Sequence, residues 1–243
     1  MPAAEQGPSP AVWVVVPTYN EAENVEAFVA AVLDAVPSAT VLVVDDNSPD
    51  GTGEIAARLA AARERVEVLR RPRKEGLGPA YVAGFHLALA RGADLLVEMD
   101  SDFSHDPAEL GTLIAASADA DLVIGSRYIP GGAVADWSAS RRAISRGGSA
   151  YARLVLGLDV QDLTGGFKCF RREVLEAIDI DGIGSKGYAF QVETTYRTVA
   201  AGFRVVEVPI TFRDRLAGDS KMNGAIVVEA ALRVPLLRLG RDG

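Results

Sequence analysis

Short apolar runs alternate with longer amphipathic stretches through the first half of the chain. Uninterrupted runs of valine and leucine are typical of strands buried on both faces of a parallel sheet. The stretches between them carry apolar residues three and four positions apart, which predicts helices packed on that sheet. We predict strands at 12–16, 41–44, 66–69, 94–99 and 121–124, and helices at 21–36, 53–65, 78–91 and 107–116. The alternation predicts an α/β fold with a doubly wound, mostly parallel sheet.

The pattern changes after residue 130, where glycine and arginine become frequent. We predict an amphipathic stretch at 144–158, a short strand at 167–170, a helix at 189–201 and a strand at 204–208. No linker or repeat divides this part of the chain from the first half. The sequence therefore predicts one large folded domain.

Three parts are expected along the chain: a disordered leader at 1–10, the folded domain at 11–222, and a C-terminal helix at 223–243. The leader has no apolar run that could be buried. In 144–158 and 225–239 the apolar side chains share one helical face. That pattern favours packing in the core, and it also fits a helix that lies on a membrane surface.

Composition and charge exclude several classes of protein. Of the 243 residues, 49% are hydrophobic, which is enough to form a core without disulfides. Cys169 is the only cysteine, so an internal disulfide framework is excluded. The net charge of −8 disfavours nonspecific binding of nucleic acid, and we expect no nucleic-acid partner. No apolar stretch approaches the roughly 20 residues of a spanning helix, so we expect a soluble or peripheral protein.

Polar and acidic residues follow four of the predicted strands. They occupy positions 17–21, 45–51, 100–102 and 125–128. Open α/β sheets bind their ligands beyond the carboxyl ends of the strands. We therefore expect these four segments to meet at one edge of the sheet and to form the site.

Asp100 and Asp102 are the strongest candidates for metal ligands at this edge. Two carboxylates separated by one residue can hold one Mg²⁺ or Mn²⁺ ion, and a nucleotide diphosphate would complete the coordination. The alternative is that Asp102 or Ser104 only caps the helix predicted to begin at Pro107.

Asp45 and Asp46 form a second acidic pair at the end of a predicted strand. The segment that follows is rich in turn-forming residues and needs no ligand to explain it. Adjacent carboxylates nevertheless repel each other unless something compensates the charge. A nucleobase N–H group or a ribose hydroxyl could bind to one of them.

The segments VPTYNE (16–21), VDDNSPDGT (44–52), MDSDFSH (99–105) and GSRY (125–128) together resemble the family 2 inverting glycosyltransferases of GT-A fold. Later segments resemble dolichyl- and polyprenol-phosphate mannose synthases more specifically. These are SRRAISRG (140–147), DLTGGFK (162–168), GYAFQ (187–191), FRDR (212–215) and GDSK (218–221).

This resemblance implies transfer of mannose from GDP-mannose to a polyprenyl or dolichyl phosphate, within a GT-A catalytic domain at 11–222. It implies a nucleotide-sugar site formed by Pro17, Tyr19, Glu21, Val44, Asp46, Asp100, Ser101, Asp102, Arg127, Arg215 and Lys221. Among these, Asp100 and Asp102 would hold Mg²⁺ or Mn²⁺, and the catalytic residues would be Asp102, Arg127 and Arg215. The acceptor phosphate would bind to Arg146 and Arg127.

A phosphate acceptor is already anionic at neutral pH, so the implied reaction requires no general base, and neither His86 nor His105 is needed as one. The acceptor tail lies in a bilayer. We therefore expect a cytoplasmic protein, peripheral on the cytosolic face of the membrane, which docks directly or through a small membrane-protein partner.

Three alternatives remain open at this point. The same lipid could receive glucose or another sugar from a UDP-sugar. The chain could be a catalytically silent module that binds a nucleotide-sugar, although such a module would be expected to have lost at least one of the charged site residues. A nucleotidyltransferase would normally carry a glycine-rich, basic segment after the first strand, and residues 17–21 provide none.

Overall fold

The computed structural model describes residues 9–185, 187–214 and 233–239. The strands are β1 (Val12–Thr18), β2 (Thr40–Asp45), β3 (Val66–Arg70), β4 (Leu95–Glu98), β5 (Leu122–Ser126), β6 (Ala133–Val134), β7 (Lys168–Arg171), β8 (Val205–Pro209) and β9 (Thr211–Phe212). The helices are α1 (Val25–Ala35), α2 (Thr52–Ala62), α3 (Leu77–Ala90), α4 (Leu110–Ala116), α5 (Ala139–Leu156), α6 (Arg172–Ala177) and α7 (Tyr188–Ala200). Short 3₁₀ helices lie at Pro107–Glu109 and Ile180–Gly182.

Seven strands of the described part of the chain form one sheet in the order β3-β2-β1-β4-β7-β5-β8. Strand β1 pairs in parallel with β2 and β4, β2 pairs in parallel with β3, and β5 pairs in parallel with β8. Strand β7 is antiparallel to both of its neighbours, β4 and β5. The predicted α/β fold with a mostly parallel sheet is confirmed, and an antiparallel strand lies near its centre.

Helices cover both faces of this sheet, so the buried core is divided into two clusters. Alternate residues of β1 belong to different clusters. Val14 packs into the same buried cluster as Phe28 of α1. The next residue, Val15, faces the opposite way and packs with Tyr81 and Phe85 of α3. Because side chains alternate along a strand, an uninterrupted apolar run is needed to fill both clusters.

Two predicted helix starts are shifted, and the structure gives the reason for each. The helix predicted at 21–36 begins at Val25, because side chains of the next loop hold the preceding backbone: Thr52 accepts the N–H of Glu21, and Asp50 accepts that of Ala22. The stretch predicted at 144–158 lies in a helix that begins earlier, at Ala139. There the Ser138 hydroxyl accepts the N–H of Arg141 and caps the helix.

The sequence pattern did not predict three short elements. Strands β6 and β9 each have two residues and pair in parallel as a small second sheet. Helix α6 has six residues and follows β7 directly. Elements of this length are too short to show a helical or strand period, so tertiary pairing decides them.

The predicted leader at 1–10 lies almost entirely outside the described residues, and so does most of the predicted C-terminal helix at 223–243. Residues 233–238 are helical, and the predicted division of the chain at 222 stays a prediction. Among the residues that the structure describes, no helix combines the length and the apolar character that crossing a membrane requires.

Gly84 of α3 allows this helix to approach the sheet closely. A β-carbon at this position would lie 2.4 Å from Val15 Cγ1 and 3.0 Å from Val44 Cγ2. We expect Gly84→Ala to lower the free energy of unfolding by about 1–3 kcal/mol, because packed valines would have to move. Urea denaturation measures the change.

Gly111 in α4 is the matched control, since a β-carbon there would meet no atom within 4 Å. Gly111→Ala should raise the free energy of unfolding by about 0.5–1 kcal/mol, because alanine favours the helix. Equal effects of the two substitutions would contradict the close approach of α3 to the sheet.

Candidate active site

The four acidic and polar segments predicted to form the site do follow β1, β2, β4 and β5. The first three of these strands are parallel neighbours, so their carboxyl ends share one edge of the sheet. Asn20, Asn47 and Phe103 in the loops at this edge have φ values of 57°, 57° and 61°. Left-handed backbone is uncommon for residues other than glycine, and it clusters where loops are built for a ligand.

Three carboxylates and one phenol are grouped at the end of β4. The Tyr81 hydroxyl lies 3.5 Å from Asp100 Oδ1. Burial and the nearby charges of Asp100, Glu98 and Asp102 raise the pKa of Tyr81 well above its usual value, so its hydroxyl stays protonated. The paired acids predicted from the sequence therefore lie at one place, with a hydrogen-bond donor beside them.

Asp102 is more deeply buried than Asp100, and a hydrogen bond from a backbone N–H group holds its side chain in place. Its side chain is 6% exposed, and its Oδ1 accepts the N–H of Ser104 at 3.0 Å. Ser101, between the two acids, is also buried. The predicted capping role of Asp102 is not seen at Pro107; there the Asp106 side chain accepts the N–H of Ala108.

The donor set at this position fits a hard divalent cation. Asp100 and Asp102 offer carboxylate oxygens, which Mg²⁺ and Mn²⁺ prefer. Among the described residues, no group of three or more histidine, cysteine, aspartate or glutamate side chains is arranged for a metal ion. A cation bound between the two acids would therefore draw its remaining ligands from a substrate diphosphate and water.

Asp45 and Asp46 have separate partners, which compensate the charge of the adjacent pair. The Ser48 hydroxyl donates to Asp45 Oδ1 at 2.6 Å, inside the turn. Arg71, which follows β3, pairs with Asp46 at 2.5 Å. The sequence reasoning missed Arg71, although a basic segment directly after a strand of the same sheet was a signal for it.

The remaining predicted nucleotide residues lie close to the ends of β1 and β2. Lys74 lies 3.8 Å from the ring centroid of Tyr19, a cation–π contact. Glu21 accepts a hydrogen bond from the Asn24 amide at 2.9 Å, and Pro17 is half-buried in β1.

Val44 is fully buried and packs against the α3 side of the core, so only its backbone can reach this edge.

Arg127 is held by a buried carboxylate that the sequence reasoning did not identify. Its Nε and Nη2 donate to Asp162 at 2.7 and 2.6 Å, and its backbone N–H donates to the same carboxylate at 3.0 Å. Burial alone would raise the pKa of Asp162. The charge and hydrogen bonds of Arg127 outweigh burial and hold that pKa below its usual range. The predicted contact of Arg127 with the sugar phosphate stays a prediction.

His105 lies beside this pair and is enclosed by aromatic rings. It stacks on Phe167 with ring centroids 5.1 Å apart, and it meets the edge of Phe212 at 5.2 Å. Burial lowers the pKa of His105 to about 4, although the charge of Asp102 partly opposes this shift. The imidazole is therefore neutral at pH 7.

Arg146, predicted to bind the acceptor phosphate, is exposed on α5. Its guanidinium carbon lies 5.3 Å from the ring centroid of Tyr128, the residue after Arg127. The Tyr128 hydroxyl donates to the Ser145 hydroxyl at 2.6 Å and so ties α5 to the end of β5. Arg215 and Lys221, the other predicted cations of the site, lie outside the described residues.

A buried polar layer beneath the acids was also missed. Glu98 of β4 and Lys168 of β7 are directly opposed in the antiparallel register, and both side chains are fully buried. Burial raises the pKa of Glu98 to about 7 and lowers that of Lys168 to about 8, while each charge partly offsets the other shift. A glutamate within an apolar strand was the only signal in the sequence.

Comparison with known proteins identifies the family to which this chain belongs. The sequence profile described as glycosyl transferase family 2 matches residues 13–179. The chain belongs to glycosyl transferase family 2. The match covers the strands and loops that carry Tyr19, Asp46, Asp100, Asp102 and Arg127, so the resemblance seen in the sequence motifs is confirmed.

Two curated relatives within this family are similar along nearly their whole length. An undecaprenyl-phosphate mannosyltransferase from Micrococcus luteus is 53% identical over 223 residues, which cover 92% of this chain and 92% of the relative. A polyprenol monophosphomannose synthase from Mycolicibacterium smegmatis is 50% identical over 229 residues, which cover 93% of this chain and 86% of the relative.

Solved structures of other glycosyltransferases share the fold of this family 2 chain. A glucosyl-3-phosphoglycerate synthase from Mycobacterium tuberculosis, in complex with Mn²⁺, UDP and phosphoglyceric acid, aligns with a TM-score of 0.71 at 20% identity, over 95% of this chain and 79% of that one. A mannosyltransferase from Pyrobaculum calidifontis, in complex with GDP-Man and Mn²⁺, aligns with a TM-score of 0.59 at 17% identity, over 96% and 74%. The predicted GT-A fold is confirmed.

The buried pair of Arg127 and Asp162 should be essential for stability. Asp162→Asn keeps the shape of the side chain but leaves the guanidinium without its counter-charge. We expect the free energy of unfolding at pH 7 to fall by about 3–5 kcal/mol in a denaturant titration. Because the folded pKa of Asp162 is lowered, the difference from wild type should shrink as the pH falls through that pKa.

Glu176 pairs with Arg172 on the surface of α6 and provides the control. Glu176→Gln should change the free energy of unfolding by about 0.5 kcal/mol or less, because solvent screens the pair. An effect of Asp162→Asn as small as that of the control would contradict a structural role for the buried pair.

Proposed function

We propose that this chain transfers mannose from GDP-mannose to a polyprenyl phosphate of the dolichyl type and inverts the anomeric centre. The observation that carries this proposal is the pair of acids at the end of β4, with the Tyr81 hydroxyl on Asp100 and the charge of Asp102 nearby. Arg146 of α5 lies over Tyr128, just after β5 at the same end of the sheet. The two curated relatives, which are named for mannosyl transfer to undecaprenyl phosphate and for polyprenol monophosphomannose synthesis, support it.

On the donor side, the nucleotide would lie across the ends of β1 and β2. Tyr19 and its neighbour Lys74 would contact the nucleotide, and Asp46 would accept a hydrogen bond from the base or ribose. Asp100 and Asp102 would hold Mg²⁺ or Mn²⁺. A bound cation of this kind neutralises negative charge that develops on the departing diphosphate.

On the acceptor side, a phosphate oxygen would attack the anomeric carbon directly. The oxygen is anionic before it reacts, so the site needs cations that position it and no group that removes a proton. Arg146 would bind that phosphate with its guanidinium fork, and Arg127 would contribute from the buried pair. His105, with a pKa of about 4, is neutral and enclosed, which agrees with a reaction that uses no histidine base.

The choice of mannose as the sugar rests on the names of the two relatives, and the choice of GDP-mannose as its donor is supported by one structural neighbour in complex with GDP-Man. The GT-A fold itself does not separate the two donors, because a neighbour of this fold also binds UDP. A UDP-sugar-dependent transferase to the same lipid therefore stays the second candidate, and the assay below includes it.

The acceptor tail requires contact with a membrane, and α5 offers a surface for it. Ile144 and Leu154 are 54% and 82% exposed, and Arg142 and Arg146 are exposed on the same helix. Apolar side chains beside arginines suit the boundary between acyl chains and anionic headgroups. We propose that α5 docks on the cytosolic face of the membrane, with or without a small membrane-protein partner.

The function is tested by incubating the purified protein with labelled GDP-mannose or UDP-glucose, Mg²⁺ or Mn²⁺, and a polyprenyl phosphate. We expect lipid-extractable label from GDP-mannose. Asp102→Ala should lower the rate by about 10³-fold or more, because a ligand of the charge-neutralising cation is lost. Thermal unfolding should show that the variant is folded.

Asp119→Ala, at an exposed acid before β5, is the control and should keep the wild-type rate. Transfer by Asp102→Ala at a near wild-type rate would show that the metal assignment is wrong. Label transferred only from UDP-glucose would favour the second candidate.

Membrane docking is tested with the double variant Ile144→Ser and Leu154→Ser in a sedimentation assay with anionic vesicles. We expect about tenfold weaker partition into the vesicles, because apolar burial in the headgroup region is lost. Val199→Ser, at a 36% exposed position of α7, should leave partition unchanged. Equal partition of the double variant and wild type would contradict docking through α5.

A further inference from the structure

Tyr81 of α3 is fully buried, and in the described part of the chain its hydroxyl makes one hydrogen bond. The hydroxyl donates to Asp100 Oδ1 at 3.5 Å. Buried phenols normally place their hydroxyl on a partner, because a buried polar group without one is unfavourable. A distance of 3.5 Å is long for an O–H···O bond, and hydrogen bonds of active sites often tighten when the substrate complex forms. The partner of this buried phenol is therefore a proposed metal ligand.

Two aromatic neighbours hold the ring of Tyr81 in place. Phe190 of α7 stacks on it with ring centroids 5.9 Å apart and ring planes 6° apart. Phe85, one turn further along α3, packs on it with centroids 5.8 Å apart. Both neighbours are fully buried. Because a stacked ring in a close-packed core has little freedom to move, the hydroxyl of Tyr81 is held at a fixed place.

Two glycines of α3 fix the position of the helix that carries this ring. Gly78 lies so close to the start of α7 that a β-carbon there would stand 2.9 Å from Phe190 Cδ2 and 3.0 Å from the carbonyl oxygen of Ser185. Gly84 makes a similarly close approach to the sheet. A helix in contact with both neighbours cannot shift without displacing packed atoms. The distance from the Tyr81 hydroxyl to the end of β4 is therefore set by the packing of the fold.

A donor fixed on one oxygen of Asp100 orients the whole carboxylate. Rotation about the Cβ–Cγ bond of Asp100 would break the contact at Oδ1, so the direction of Oδ2 is set as well. Oδ2 lies on the side of Gly166, where a β-carbon would stand 4.0 Å from it. Gly166 and Asp100 are both partly exposed. The phenol thus contacts Asp100 from the core, and a cation would meet the same carboxylate from its partly exposed side.

We propose that Tyr81 is a positioning residue, which orients Asp100 for the divalent cation of the site. Removal of a side chain that hydrogen-bonds to a metal ligand typically lowers metal affinity or activity by about 10–100-fold. The inference rests on the proposed function, since it assumes that Asp100 is a ligand of that cation. Tyr81 acts only through Asp100, so its hydroxyl should affect the contribution of the cation and leave binding of the nucleotide without metal unchanged.

The test compares binding of GDP to the full chain in Mn²⁺ and in EDTA, by isothermal titration calorimetry. The ratio of the two affinities measures how strongly the cation contributes. Tyr81→Phe keeps the ring and removes the hydroxyl, so it should lower this ratio about tenfold or more and change the affinity in EDTA less than about twofold. The melting temperature without metal should stay within about 3 °C of wild type, because only one long hydrogen bond is lost.

Tyr196→Phe is the matched control, since Tyr196 of α7 packs on the same core cluster and lines a groove with Ala177 and Leu237. It should leave the ratio and the affinity in EDTA unchanged.

An unchanged ratio in Tyr81→Phe would overturn the inference. An equal loss of affinity in Mn²⁺ and in EDTA would assign the hydroxyl a purely structural role and would overturn it too. So would a wild-type protein that binds GDP equally well with and without Mn²⁺. A wild-type protein that transfers no mannose to lipid would instead overturn the proposed function, while the ratio of affinities still tests Tyr81.

Discussion

Negative charge concentrated in a buried place is the constraint on which this structure depends. Glu98, Asp100 and Asp102 follow one another at the end of β4, and two of them are almost fully buried. Carboxylates cannot remain ionised together in a region of low dielectric constant unless positive charge is close. The surrounding elements of the fold place positively charged side chains close to these acids.

The antiparallel strand β7 supplies positive charge from beneath the acids. Its first residue, Lys168, is opposite Glu98 and also holds the start of α7 through the carbonyl of Gln191. Arg127 lies near Asp102 as well, but its charge is offset by Asp162, and an aromatic surround fixes its guanidinium. On the other side Asp100 is partly exposed at the sheet edge, where a divalent cation and the diphosphate that it would hold are proposed to bind. The packing of the sheet therefore places positive charge close to the buried acids.

Much of the fold and part of the site could be predicted from the sequence, because apolar runs and acidic strand ends are local signals. The strands that precede Asp46, Asp100 and Asp102 were predicted close to their observed bounds. The direction of β7 could not be predicted, since side chains alternate in the same way along a four-residue strand in either direction. Glu98 and Lys168 are 70 positions apart in the sequence, and only their pairing in the sheet brings them together. The ion pair between Asp162 and Arg127 could not be predicted for the same reason.

The most direct test of the account is a crystal structure with GDP and Mn²⁺, in which the anomalous signal of manganese locates the ion. We expect a single strong peak between Asp100 and Asp102, in contact with the diphosphate. A manganese peak elsewhere, with both carboxylates turned away from the nucleotide, would contradict it.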